Sequence, residues 1–222
     1  MKYSNRHEAG QRLALSLGAF EERPDVIVLG LPRGGVPVAY EIARALRVAL
    51  DVFVVRKLGL PDQREFAMGA IASGGIVVLD HDLIARMRVT PAAVERVIAE
   101  ERAELARRER LYRGSRPPLD VRGRTIILVD DGLATGASVQ AAIAALKRQG
   151  PGSIVVASPV GSRDACRAIA AITDGCLCAA MPEPFNAVGL WYDDFSETTD
   201  DDVRTLLAGT WAPAPPRVPQ EA

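Results

Sequence analysis

The chain has 222 residues, 48% of them apolar and 25% charged, with a formal net charge of −1. That length predicts one domain, since domains usually run to about 100–200 residues, and so apolar a composition excludes disorder for most of the chain. A near-zero charge excludes a protein built to coat nucleic acid or acidic membranes, and no apolar run reaches the roughly 18–20 residues of a membrane span. The first residues, MKYSNRHEAGQRLALSL, scatter charges and lack the apolar stretch of a signal peptide, so a soluble, cytoplasmic protein is expected. Basic residues are 24 Arg against 3 Lys, which singles out each lysine.

In chain order, Asp25–Leu31 (DVIVLGL) predicts a first strand and Val36–Arg47 the helix after it. Further strands are predicted at Asp51–Val55, Ile76–Asp80, Thr125–Asp130, Ser153–Ser158 and Gly175–Ala180, with helices at Val139–Gln149 and Arg163–Ile172. Apolar strands alternating with helices imply α/β architecture: a doubly wound parallel sheet covered on both faces. Two segments break the rhythm. Thr90–Arg113 predicts a long helix with Thr90 as N-cap, Pro91 at the first helical position, Gly114 just past the end and a charged, solvated face. The stretch after Gly209, with four prolines in thirteen residues, predicts a disordered tail over 209–222 that leaves a single domain over 1–208.

Cys166, Cys176 and Cys178 are too few for a disulfide framework and, with two histidines, for a zinc site. Buried thiols are expected, and His7 and His81 are read as surface or cap residues.

The chemistry concentrates in Ile126–Ser138, IILVDDGLATGAS. A buried strand ends in adjacent carboxylates, Asp130 and Asp131, and a loop of small and hydroxyl residues (Ala134, Thr135, Gly136, Ala137, Ser138) leads into a helix. Ligands of open α/β sheets bind at the carboxyl ends of the strands, and amides at a helix N-terminus suit phosphate. Neither the Walker A spacing with its lysine nor the G-x-G-x-x-G spacing is present. Carboxylates beside a phosphate cradle make sense when they accept hydrogen bonds from sugar hydroxyls, with Mg²⁺ nearby. That combination specifies a ribose phosphate.

Three other segments add to it. LPRGGV, Leu31–Val36, follows the first strand, with Gly34 and Gly35 allowing close backbone approach and Arg33 offering a five-donor fork. VRKLGLPDQREF, Val55–Phe66, places Arg56 and Lys57 at a strand end before a charged loop expected to be mobile. MPEPFNAVGLWYDDF, Met181–Phe195, gathers Phe185, Trp191, Tyr192 and Phe195 with Glu183, Asp193 and Asp194, a composition that suits either a flat heterocycle or core packing.

The stretch VDDGLATGAS resembles the phosphoribosyl pyrophosphate signature of type I phosphoribosyltransferases, and the likeness to a stand-alone bacterial subgroup runs from about Arg6 to Leu207. The resemblance implies that fold, with a small hood at about 181–207 and a helical insertion at about 90–113. It implies an Mg²⁺-dependent transfer of 5-phosphoribosyl from phosphoribosyl pyrophosphate to a nitrogenous acceptor, a nucleobase, with pyrophosphate released, as in nucleotide metabolism and purine salvage. By it, Asp130 and Asp131 hold the ribose hydroxyls and, through the ribose, the metal, and Ala134–Ser138 hold the 5′-phosphate. Arg33, Gly34 and Gly35 form a pyrophosphate loop in which a non-proline cis peptide is common, and Arg56 and Lys57 open a cationic lid. Arg33, Lys57, Asp130 and Asp131 are the implied catalytic group, and Phe185, Trp191, Tyr192 and Asp193 the acceptor site. Ala134 stands where 6-oxopurine enzymes carry Asp, and Met181 where a smaller residue is usual. The family commonly dimerises, and no nucleic-acid or membrane partner is implied. Two rivals share the site: a non-catalytic sensor of phosphoribosyl pyrophosphate or a nucleotide, and a nucleotide hydrolase or phosphorylase.

Overall fold

Strands that are apolar without interruption must be covered on both faces, and the computed structural model, which describes residues 2–61 and 63–209, shows what covers them. The first half of the chain forms α1 (Arg6–Ala14), β1 (Val26–Gly30), α2 (Gly35–Leu46), β2 (Ala49–Val52), β3 (Val55–Leu60), β4 (Gln63–Ala72), β5 (Ile76–Leu79), α3 (His81–Arg86) and α4 (Pro91–Arg113). Then come β6 (Thr125–Val129), α5 (Ala137–Lys147), β7 (Ser153–Val160), α6 (Arg163–Ala170), β8 (Gly175–Ala180) and α7 (Asp200–Ala208). A parallel sheet has the order β2-β1-β6-β7-β8, and β3-β4-β5 make a separate antiparallel sheet. Alternate residues of the central strands enter different cores. Val26 and Val28 of β1 join Ile127 and Val129 of β6 in one, while Ile27 and Leu29 join Ile126 and Leu128 in the other. The α/β, doubly wound parallel fold read from the sequence is the observed one.

Three expectations need correction. Arg56 and Lys57 lie within β3 rather than at the end of a strand, the segment read as a loop is the β3–β4 hairpin, and the strand at Ile76 joins that hairpin instead of the main sheet. The chain leaves the parallel sheet at Phe53, whose amide donates to Gly30, and Val54 then pairs with Ser73 through backbone and hydroxyl. Burial alternates in β3, where Leu58 and Leu60 are buried and Lys57 is exposed, so the strand signal was present beneath its charges. The cysteines also differ from expectation. Cys166 of α6 and Cys178 of β8 form a disulfide, their Cα atoms 6.6 Å apart, and Cys176 is the free thiol. They face each other across Gly161, where a Cβ would stand 2.6 Å from Cys166 Sγ. A tertiary approach of this kind leaves no mark in residue spacing.

The long helix has the predicted caps, with Thr90 Oγ1 accepting from the Ala93 amide and Gly114 closing the end. It is anchored as well as solvated. Val94, Leu105 and Tyr112 are buried, the Tyr112 hydroxyl donates to Asp200 at 2.6 Å, and burial with that carboxylate beside it pushes the phenol up to about 12. Arg113 donates to both oxygens of Asp51, a residue of β2 that is 4% exposed, and Arg116 stands 3.9 Å away. Of the tail read as disordered, all but Gly209 lies outside the described residues, and among the described helices none is long and apolar enough to cross a membrane. Removing one partner of a buried pair strands the other charge. Asp51→Ala should therefore lower stability by about 3 kcal/mol in denaturant unfolding, with Asp51→Asn losing less because it still accepts from Arg113.

Candidate functional site

Two neighbouring parallel strands carry the two glycine-rich motifs. The chain runs from β1 to β2 on one side of the sheet, and β6, β7 and β8 extend the other, so connections diverge between β1 and β6. A crevice opens at such a switch point, outside the carboxyl ends of the strands. Leu31–Gly35 leaves β1 on one lip, and Asp130–Ser138 leaves β6 on the other. The Leu31 amide donates to Val129 at 2.9 Å, and the Pro32–Arg33 peptide is cis.

The lips touch through the absence of side chains. A Cβ on Gly34 would lie 2.0 Å from Asp131 Oδ2, and one on Gly35 would lie 2.6 Å from the Val129 carbonyl oxygen. The glycines of one motif thus seat the carboxylates of the other. Burial pushes Asp130 well above the usual carboxylate range, and the charge of Asp131 pushes it further. Asp131 is raised too, chiefly by burial, while the guanidinium of Arg6 opposes that rise. The Asp131 amide donates to Asp130 Oδ1 at 3.0 Å, which fixes the first carboxyl.

Beyond the pair, the loop is strapped to the end of β7. Leu133 donates to Val160, Ser162 donates back to Leu133, and the Ser162 hydroxyl donates to the Ala134 carbonyl at 2.7 Å. Gly136 takes a left-handed conformation, φ +71°, as N-cap of α5. A glycine cap offers no side-chain acceptor of its own; the Ala137 amide instead donates to Thr135 Oγ1 at 3.4 Å, and amides at a helix N-terminus suit an anion. Thr135, Ala137 and Ser138 are exposed beside them.

The other sequence-derived candidates lie further out. Arg33 is paired with Glu197, and Arg56 donates to Glu101 of α4 at 2.7 Å. Lys57 is exposed, in a shallow cleft with Gly59, Arg64 and Glu100. Neither Arg56 nor Lys57 bonds to the aspartates. Of the aromatic group, Tyr192 is buried against Tyr3 and Val160, its hydroxyl donating to the Asp131 carbonyl at 2.6 Å. Phe185 and Trp191 are half-buried beside them, and Asp193 is exposed with Lys2 at 3.8 Å. Here the aromatics form a floor behind the aspartates, and Val188 fills the space left by Gly132. The sequence reading passed over Arg6 and Glu197, which reach the site across 125 and 164 residues and carry no local signal. His7 is on the surface, 2.9 Å from Glu41, and His81 opens α3.

A family model for the phosphoribosyl transferase domain matches residues 12–178, taking in both glycine-rich lips, the hairpin and the aspartate pair. The chain belongs to this family. Two curated Mycobacterium tuberculosis proteins, from strains CDC 1551 and H37Rv, each named "Putative phosphoribosyl transferase", are 42% identical to it over 205 residues. Those residues are 92% of this chain and 46% of each relative, so the chain spans about half the length of the curated relatives it matches. The crystal structure of TT1426 from Thermus thermophilus is also 42% identical, with a TM-score of 0.84, covering 96% of this chain and all of that one. The match begins at residue 12 and ends at 178, so Arg6, Tyr192 and Glu197 lie outside the matched part.

Charge confinement has a thermodynamic signature. A carboxyl raised in the folded state binds more protons there than in the unfolded chain, so stability falls as pH rises above the unfolded value of about 4. Asp130→Asn keeps the acceptor for the Asp131 amide and removes the confined charge. Its melting temperature should exceed the wild type by about 3 °C or more near neutral pH, with the gap closing as pH falls towards about 4. Equal melting curves across that range would mean that the pair is not confined.

Proposed function

We propose that the protein transfers 5-phosphoribosyl from phosphoribosyl pyrophosphate to a nitrogenous acceptor, a nucleobase. The C1–O bond to pyrophosphate breaks and a C1–N bond forms. The observation that carries this reading is the seating of Asp131 against Gly34, which brings the Arg33 loop and the aspartate pair to opposite lips of one crevice. Asp130 and Asp131 accept from the ribose 2′- and 3′-hydroxyls. Residues 134–138 hold the 5′-phosphate on the amides of α5 and the Thr135 and Ser138 hydroxyls. Arg33, with the Gly34 and Gly35 backbone, receives the pyrophosphate, and the exposed Lys57 and Arg56 approach it from the β3–β4 hairpin.

Among the described residues no three His, Cys, Asp or Glu side chains gather to hold a metal by themselves. Two adjacent carboxylates and a phosphate cradle nevertheless suit a hard cation that arrives with its ligand, because Mg²⁺ usually takes one or two carboxylates plus substrate phosphates. When bound, Mg²⁺ would supply charge neutralisation on the leaving pyrophosphate. As the C1–O bond lengthens, positive charge grows on the sugar and negative charge on the leaving group. The Arg33 and Lys57 cations stabilise the leaving group, and the buried aspartates face the cationic ring. Ala134 stands where 6-oxopurine enzymes of the resembled family carry Asp, which favours acceptors of the adenine or orotate kind over 6-oxopurines.

The deciding assay measures pyrophosphate release from phosphoribosyl pyrophosphate and Mg²⁺ with adenine, other purines, orotate, uracil or nicotinate as separate acceptors. One acceptor should give release coupled to a new N-glycosidic bond. Asp131→Asn should lower kcat/KM by about 100-fold or more, and Arg33→Gln by a similar factor. Tight binding of phosphoribosyl pyrophosphate without turnover would favour a sensor, and release of free ribose 5-phosphate a hydrolase.

A further inference from the structure

Arg6 opens the first helix, far from every motif and outside the span of the family model. Asn5 caps that helix by accepting from the Glu8 amide, which fixes where Arg6 leaves the backbone. Its guanidinium makes several contacts at once. Nε donates to Asp131 Oδ2 at 2.8 Å, and Nη1 donates to the Ser196 carbonyl at 2.7 Å. The guanidinium carbon lies 3.9 Å from the centre of the Phe195 ring, which itself stacks on Tyr192. Arg6 and Asp131 side chains are only 11% and 16% exposed.

Each contact limits a different freedom. The Nε bond takes one oxygen of Asp131, the oxygen that a Cβ on Gly34 would strike, so it sets the carboxyl rotation at the junction of the two lips. The Ser196 bond and the Phe195 stack stop Arg6 from turning away. Tyr192 closes the arrangement from behind by donating to the backbone carbonyl of Asp131. Asp131 is therefore gripped at side chain and backbone by residues of the N-terminal helix and the 192–196 segment.

We propose that Arg6 is a positioning residue of the ribose site, holding the Asp131 carboxylate turned to accept from the sugar diol. This rests on the phosphoribosyl pyrophosphate reading above. Arg6 occupies one carboxylate oxygen, and among the described residues no hydrogen bond is made to the other. A guanidinium can satisfy Asp131 and Ser196 together because its donors diverge in a fixed plane, whereas a lysine ammonium is a compact point charge without that planar fork. The effect of Arg6 on substrate passes through Asp131, so it disappears when that carboxylate is absent.

The test is a double-mutant cycle on full-length protein. Binding of phosphoribosyl pyrophosphate with Mg²⁺ is measured by calorimetry for wild type, Arg6→Met, Arg6→Lys, Asp131→Asn and the Arg6→Met/Asp131→Asn pair, beside ligand-free melting curves. Arg6→Met should bind about tenfold more weakly, the scale of losing one charged hydrogen bond partner. Arg6→Lys should recover binding to within about threefold, and the double variant should bind like Asp131→Asn alone. A merely structural Arg6 would add its full binding loss to that of Asp131→Asn, which overturns the proposal. So would unchanged binding in Arg6→Met. Should Arg6→Met not fold, Arg6→Lys decides, because weakening beyond tenfold in a folded lysine variant contradicts a role carried by charge. If wild type itself does not bind the probe, the functional reading fails and this inference falls with it; binding by wild type that Arg6→Met retains removes the inference alone.

Discussion

Much of this molecule is arranged around two carboxylates that cannot both sit comfortably where the backbone puts them. Asp130 and Asp131 are consecutive, largely buried, and placed at the end of a strand that has neighbours on both sides. Water that would solvate them at a surface is largely excluded, and burial is the leading cause of the shift of each. The surroundings compensate unevenly. Asp131 receives Arg6, while Asp130 receives one backbone amide. An arrangement that stabilised the free protein most would put apolar residues or a second cation here. Keeping an under-neutralised pair fits a site whose remaining charge balance comes from a ligand.

Sheet order puts the pair within reach of the other half of the site. β1 and β6 are sequence-distant, yet they pair residue for residue from Val26 with Thr125 to Gly30 with Val129. That register brings the first residues after each strand to the same height. Gly34 and Gly35 then meet Asp131 and Asp130 with no room for a Cβ. Neither motif makes the crevice alone. A register slip of one residue would turn the β6 side chains to opposite cores and carry the aspartates away from the glycines.

What was legible in the sequence follows from which forces are local. Strand and helix identities came through because continuous apolar runs and capping residues are short-range signals, and Thr90 and Gly114 marked the ends of α4. The motif at 126–138 was legible because loop chemistry is written in consecutive residues. The hairpin at β3 and β4 was misread because its charged residues, Arg56, Lys57, Arg64 and Glu65, mask an alternation that only pairing reveals. The Cys166–Cys178 bond and the Arg6–Asp131 pair were illegible for one reason: both are made by elements that meet after folding. The aromatic cluster was ambiguous from composition, and packing of Tyr192 on Tyr3 now accounts for part of it.

The ion pairs around the crevice separate into two kinds, and the separation bears on how a polyanion could enter. Arg33 and Glu197 are 38% and 73% exposed. Exposed pairs of this sort contribute about 0–1 kcal/mol, so a phosphate oxygen can replace the Glu197 carboxylate at Arg33 with little loss. The Arg56–Glu101 pair is less exposed and costs more to open. Arg6 and Asp131 are buried, and separating them would strand a charge on each side at a cost of about 3–5 kcal/mol. Under the proposed function, the cation facing the leaving group is therefore held loosely and released by the ligand. The cation behind the ribose carboxylate stays in place. An electrostatic site needs both behaviours, exchange where the anion binds and permanence where the geometry is set, and burial is the physical variable that assigns them.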